Sequence, residues 1–375
     1  MRIKIGACLC LVAGAVAAID TGTIYAQLSS NATVFASGLN GPRGLKFGPD
    51  GTLYVAEAGT GGTTSTVGQC EQVPPPVGPY LGGNTARISK VDRFGTVSTV
   101  VSGLPSSVSP IGDYEGVGDV AFLNGSLYAV LAGAGCSHGN PETFNSVIKV
   151  DAKQGTWKQV ADLSTFLMNH PAKYPNAGDF EPDGTFYSMI ASGGVLYTVE
   201  PNHGQVFSVT PFGGIKEEID ISKAENHIVP TAITENYGTF YLGNLGTFPI
   251  VPQMEKVLTL TKDGCNWPFL SGFGCFQPQR GLRLSGSRAG FTTVLGLDFG
   301  PDGLLYALEL SEGPGFPTPG LGKVVRLNRQ GEIEDVATGL SVPTGMTFGP
   351  DGRLYVSNFG AAPPGAGQIV KIIVP

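Results

Sequence analysis

Past its first few dozen residues the chain is a succession of short apolar and β-branched runs, each cut off by Gly, Pro, Asn or Asp. Runs such as Thr52-Leu-Tyr-Val55, Ser146-Val-Ile-Lys-Val150 and Gln205-Val-Phe-Ser-Val209 are too short for helices and rich in strand-favouring residues. One phrase recurs among them: Phe-Gly-Pro-Asp-Gly begins at Phe47, Phe299 and Phe348. A tyrosine dipeptide follows each copy and returns elsewhere, giving six in all: Leu53-Tyr54, Leu127-Tyr128, Leu196-Tyr197, Phe240-Tyr241, Leu305-Tyr306 and Leu354-Tyr355. Each dipeptide follows a turn of Asx and Gly residues, which supply the positive φ that tight hairpins require.

The rest of each unit can be traced around the dipeptide. One strand precedes the turn and a second contains the tyrosine. A third reads Ala86–Val91, Ser146–Val150, Gln205–Val209, Glu255–Leu260, Lys323–Leu327 or Gln368–Ile372. A fourth reads Thr96–Val101, Thr156–Ala161, Ile215–Ile219 or Glu332–Ala337, and in the fourth unit it falls within 264–290 at a position the pattern does not fix. Six units of four strands, apolar on both faces, predict an all-β, six-bladed β-propeller with four-stranded antiparallel blades. The sixth unit has three strands by Val374, whereas a spare strand, Ala32–Ser37, precedes the first unit. The N-terminal strand is therefore expected to complete the last blade, which removes open sheet edges. The tyrosines are expected to pack between blades.

Residues 1–26 read differently. Arg2 and Lys4 precede an apolar run from Ile5 to Ile19, and small residues offer cleavage after Ala18 or Ala26. That is the layout of a secretory signal peptide. It leaves 27–375 as one propeller domain, secreted or periplasmic, with no membrane span after signal removal. With 56 Gly and 28 Pro, turns must be many and helices few. The net charge of −7 and the lack of a basic patch exclude a nucleic-acid partner. Of the six cysteines, Cys8 and Cys10 leave with the signal. Cys70, Cys136, Cys265 and Cys275 allow three pairings, of which Cys70–Cys136 and Cys265–Cys275 are favoured.

Propeller geometry sorts the connections. Turns from strand one to two and from three to four share one face, and they are short. The others share the opposite face and are long: Gly59–Asn84, Gly103–Glu115, Gly133–Asn145, Leu163–Asp179 and 264–290 among them. Long loops on a rigid scaffold usually carry function, so the channel mouth on that face is the expected site, with Arg43, Glu115 and Asp119 lining it. Three residues past each repeated tyrosine stand Glu57, Leu131, Glu200, Asn244, Glu309 and Asn358. The five oxygen-bearing members would suit a divalent ion, calcium first. Otherwise they bond to loop backbone or to Arg43 and Arg326. An alternative metal set is His138, His203 and His227, which with His170 are all the histidines of the chain.

The segments Val34–Gly62, Glu181–Thr210 and Val342–Gly360 resemble the secreted ScyD/ScyE family of bacterial propellers, whose repeats are NHL-like. The resemblance spans the mature chain. It implies an exported six-bladed propeller and supplies no catalytic residues. Two functions follow as expectations: a binding or scaffold protein that takes a small molecule, glycan or protein at the long-loop face, or a metal-dependent (Ca, Mg or Zn) lactonase, hydrolase or lyase at the channel mouth. A quinone-dependent sugar oxidoreductase lacks a matching His and Arg pattern. The pattern sets no oligomeric state.

Overall fold

The computed structural model describes residues 27–262, 281–312 and 317–375. It is a six-bladed propeller. Blade one consists of Pro42–Phe47, Leu53–Glu57, Leu81–Val91 and Val97–Val108, and blade two of Val117–Leu123, Ser126–Leu131, Ser146–Asp151 and Thr156–Asp162. Blade three is Ser188–Ser192, Val195–Glu200, Gln205–Val209 and Ile215–Asp220, and blade four Pro230–Asn236, Thr239–Asn244, Glu255–Lys262 and Leu282–Phe291. Blade five is Val294–Phe299, Leu305–Glu309, Gly322–Leu327 and Ile333–Leu340. Blade six is Gly345–Phe348, Leu354–Asn358 and Gly367–Ile372, and Ala32–Leu39 pairs antiparallel with the last of these to complete it. The outer strand of blade four, which the sequence pattern does not locate, is thus Leu282–Phe291.

The repeated phrase is the joint between blades. Its phenylalanine ends a blade's first strand and receives the repeated tyrosine of the preceding blade edge-on. Tyr306 meets Phe348 at 5.0 Å, and Tyr355 meets Phe47 at 5.0 Å, closing the ring from blade six to blade one. Tyr54–Phe122 and Tyr241–Phe299 repeat the contact at 5.2 and 5.1 Å. Each such pair contributes about 0.5–1.5 kcal/mol beyond the area it buries. The glycine after the phenylalanine is needed for this close approach: a Cβ on Gly300 would lie 2.6 Å from the Tyr306 ring and 3.2 Å from Phe348. Apolar clusters fill the seams between blades, for example Ala56, Ile88, Val120, Leu127 and Ile148 between blades one and two.

The long-loop face carries more sheet than its turn-rich sequence suggests. The third and fourth strands of blade one run past the blade as a ribbon, through parts of 59–84 and 103–115 expected as loop, and Tyr114–Glu115 adds a short fifth strand. Small residues permit this, since a Cβ on Gly82 would meet the Gly139 carbonyl at 2.2 Å. A disulfide joins Cys70 in the loop of blade one to Cys136 in the loop of blade two. Cys265 and Cys275 lie outside the described residues. Among the described residues no helix is long and apolar enough to cross a membrane.

Candidate functional site

The first strands of all six blades line the axis, and their side chains nearly fill it. A cavity of ≈ 40 Å³ remains, bounded by Gly44, Asp119, Tyr187, Ile233, Leu295 and Gly345. Lys46 of blade one reaches to 3.8 Å from Asp298 of blade five. Asp298 accepts hydrogen bonds from Phe299 N and Phe348 N, tying blade five to blade six. Asp119 does the same between blades two and three, accepting from Val120 N at 2.7 Å and Met189 N at 2.8 Å. Burial raises the Asp119 pKa to about 7, against those two bonds and the charge of Lys46. Asp119 therefore belongs to the wall of the channel and joins blades, rather than facing the mouth.

Above this plug Tyr187 of blade three crosses the axis and donates its hydroxyl to the Thr344 carbonyl of blade six. Arg43 lies over the Tyr187 ring, 5.8 Å from its centroid, and is 4% exposed. Its guanidinium donates to Asp113 at 3.2 Å, to Glu115 at 3.4 Å and to the Tyr114 carbonyl, leaving its Nε without a partner. Burial works against the arginine charge, but Glu115, Asp113 and Tyr187 outweigh it and raise its pKa. Glu115 moves the other way. Burial, with the carboxylates of Asp113 and Glu181, pushes it well above the usual range despite Arg43. Burial and the carboxylates of Glu181, Asp113 and Glu115 also push the hydroxyl of the fully buried Tyr80 well up.

The histidines lead to the same place. His138, His203 and His227 do not meet one another, but each reaches the segment Asp179–Asp183 before blade three, whereas His170 stacks on Phe166. His227 Nε2 lies 2.7 Å from Asp179 Oδ2. His203 donates from Nε2 to the Glu181 carbonyl, and its Nδ1 is left unpaired. His138 packs on Tyr80 with ring centroids 4.8 Å apart. Its Nε2 stands 3.3 Å from Glu181 Oε2 without forming a hydrogen bond, and the same oxygen accepts the Thr185 hydroxyl. Ser137, next to His138, donates from both its backbone and its hydroxyl to Asp183.

The oxygen ring is distributed differently. Glu57 accepts from Asn40 N and from Arg87 at 2.7 Å, Glu200 from Thr185 N and His203 N, and Asn244 from Lys256 N. Glu309 accepts from Thr292 N and Asn358 from Ser341 N. Each fixes a loop of its own blade, chiefly the one entering it from the previous blade. The five do not converge and do not fit a shared cation, and loop backbone is the partner of all of them. Among the described residues, no group of three or more His, Cys, Asp or Glu is arranged to hold a metal ion.

Of the mouth residues expected from sequence, Arg43 and Glu115 therefore come together, while Asp113, Glu181, Tyr80 and Tyr187 join them unannounced. A signal for Glu181 was present: Phe180-Glu-Pro-Asp-Gly184 echoes the repeated phrase, but stands ahead of a first strand rather than after one. Chemically, the cluster offers three carboxyl groups and a guanidinium, buried except for the part-exposed Asp113, which suits hydrogen-bond recognition or proton transfer.

No protein-family model matches the chain, and no curated protein matches it in sequence. Solved structures match it in fold. A putative oxidoreductase (glucose dehydrogenase) from Thermus thermophilus is 18% identical with a TM-score of 0.56, over 92% of this chain and 100% of that one. A putative gluconolactonase is 13% identical with a TM-score of 0.50, over 92% of each chain. A luciferin-regenerating enzyme is 11% identical with a TM-score of 0.51, over 91% of this chain and 94% of that one. These likenesses are to the propeller fold.

Proposed function

We propose that the chain is an exported binding protein that takes a small polar molecule, such as a sugar or sugar acid, at its long-loop mouth. The observation that carries this reading is the cluster of Arg43, Asp113, Glu115 and Glu181 above a channel closed by Tyr187. A ligand has no path through the axis and must be held at the rim, where donors and acceptors are fixed in place. The resemblance to ScyD/ScyE propellers supports export, as does the Cys70–Cys136 disulfide.

One feature favours a second reading at the same cluster. Glu115 is buried and shares the Arg43 guanidinium with Asp113, and its pKa is pushed up by burial, which gives it the makings of a general acid with a carboxylate partner for lactone hydrolysis or elimination. The putative gluconolactonase among the fold relatives is consistent with it, at an identity that carries no more than the fold. The metal-dependent form of this reading is separable: elemental analysis of the purified chain, with melting before and after a chelator, reports a resident ion directly.

The test is a melting-temperature screen with gluconate, glucono-1,5-lactone and neutral oligosaccharides, followed for each hit by Asp113→Asn and Glu115→Gln. Stabilisation by a hit that both variants abolish supports the mouth as the site. A hit that both variants retain moves the site elsewhere. Turnover of the lactone, lost in Glu115→Gln, would replace the binding reading by the catalytic one.

A further inference from the structure

A large concavity lies on the short-turn face, away from the mouth. It is a groove of ≈ 660 Å³ at the seam of blades one and two, within the usual range of small-ligand sites, whereas the axial cavity holds ≈ 40 Å³. Tyr54, Phe122 and Trp157 give it aromatic walls, and Trp157 is 38% exposed. Three lysines and two aspartates line it in a chain whose net charge is −7. Lys153 and Lys158 have no ion-pair partner among the described residues. Asp151 is committed to its turn, accepting from Lys153 N and Gln154 N, and Asp50 Oδ1 accepts from Thr52 N.

The repeated phrase shows what is missing at this seam. In blade five Tyr306 donates to Asp302 at 3.0 Å, and Arg326 bonds to both. In blade six Tyr355 donates to Asp351 at 3.0 Å, and Lys371 pairs with Asp351 at 2.9 Å. Blade one has the same three residue types at the same places: Asp50, Tyr54 and, opposite Tyr54 in the ladder, Lys90. Here the latch is open. Among the described residues neither the Tyr54 hydroxyl nor Lys90 has a hydrogen-bond or ion-pair partner, and Asp50 and Tyr54 line the groove instead. Two polar groups that the other copies satisfy internally are left available to a ligand.

We propose that this groove binds an acidic saccharide. The lysines take the carboxylate, the flat face of the ring lies on Trp157, and sugar hydroxyls donate to Asp50 and accept from Tyr54. Asp50 favours a hydroxyl-rich acid over an aromatic one, which would bring it no donor. Calorimetric titration of the mature chain with tri-galacturonic acid tests the assignment, with cellotriose and 4-hydroxycinnamate as comparators. The expected result is saturable binding of the uronate, weakened about tenfold or more in Lys153→Glu/Lys158→Glu. Tyr54→Phe should weaken it severalfold, and the mouth variant Asp113→Asn should leave it unchanged. The proposal is overturned by no saturable heat, by equal binding of cellotriose, by binding of 4-hydroxycinnamate alone, or by loss in Asp113→Asn with retention in the lysine variant.

Discussion

The hydroxyl of Tyr187 in blade three and the carbonyl of Thr344 in blade six are 2.7 Å apart, joined by a hydrogen bond across the propeller axis. It links blades that share no seam, and it forms the floor on which Arg43 rests. Tyr187→Phe removes the donor and strands a carbonyl near the axis. The expected cost is about 1 kcal/mol, or up to about 3 if water does not reach Thr344. Denaturant unfolding at neutral pH measures it, and an unchanged midpoint would show that the crossing bond is dispensable.

The oxygen ring makes a contrasting prediction. If Glu57 serves the loop backbone, Glu57→Ala should destabilise the fold by about 2 kcal/mol or more, because Arg87, Ser89 and Asn40 N all lose their acceptor. Any divalent metal found in the wild-type chain should persist in the variant at the same stoichiometry. Loss of a stoichiometric ion together with the stability would return Glu57 to a metal site.

These two cases mark how far the sequence could be read. The blades were legible because a repeat states the same physics six times: turn, tyrosine, strand. Closure by Ala32–Leu39 followed from counting strands. The equivalence of Glu57, Glu200, Asn244, Glu309 and Asn358 was legible too, but their purpose was not. A ring of oxygens in sequence register looks the same whether it faces the axis or caps five separate loops, and side-chain direction decides between them. The mouth cluster was half legible. Arg43 and Glu115 flank strands whose place was known, whereas Glu181 and Tyr80 come from non-repeating loops, that of Tyr80 being held by the disulfide and by close glycine contacts such as Gly82 on Gly139.

The Cys70–Cys136 bridge closes a segment of sequence separation 66, and it ties down the loops that carry Tyr80 and His138. On the chain-entropy account such a bridge stabilises by roughly 4 kcal/mol. The double variant Cys70→Ser/Cys136→Ser should therefore melt well below the wild type. If the mouth is the ligand site, a ligand found by the screen should bind more weakly to this variant at temperatures where it remains folded.

Glu309 yields a pH prediction with a definite sign. Its Oε1 accepts from Thr292 N, while its buried Oε2 has no hydrogen-bond partner and lies 3.8 Å from Lys323. Burial raises its pKa from the ordinary 4.5 to about 7, outweighing the Thr292 bond and Lys323. The folded state thus holds a proton that the unfolded chain has released anywhere between those two values. Folding is favoured by this proton below pH 4.5, and the advantage is lost as pH rises through 7. Glu309→Gln keeps the acceptor for Thr292 and never ionises. Its stability relative to wild type should therefore rise between pH 4.5 and 7 and level off above, by about 3 kcal/mol at most. Lys323 limits the gain, since the variant gives up that charge pair, although Glu312 and Asp335 remain to hold the lysine at 3.0 and 3.1 Å. Urea unfolding of both proteins from about pH 4 to 8.5 reads the difference across this window. A flat difference across that range would mean that Glu309 ionises in the folded chain as it does in the unfolded one, with Lys323 compensating its burial in full.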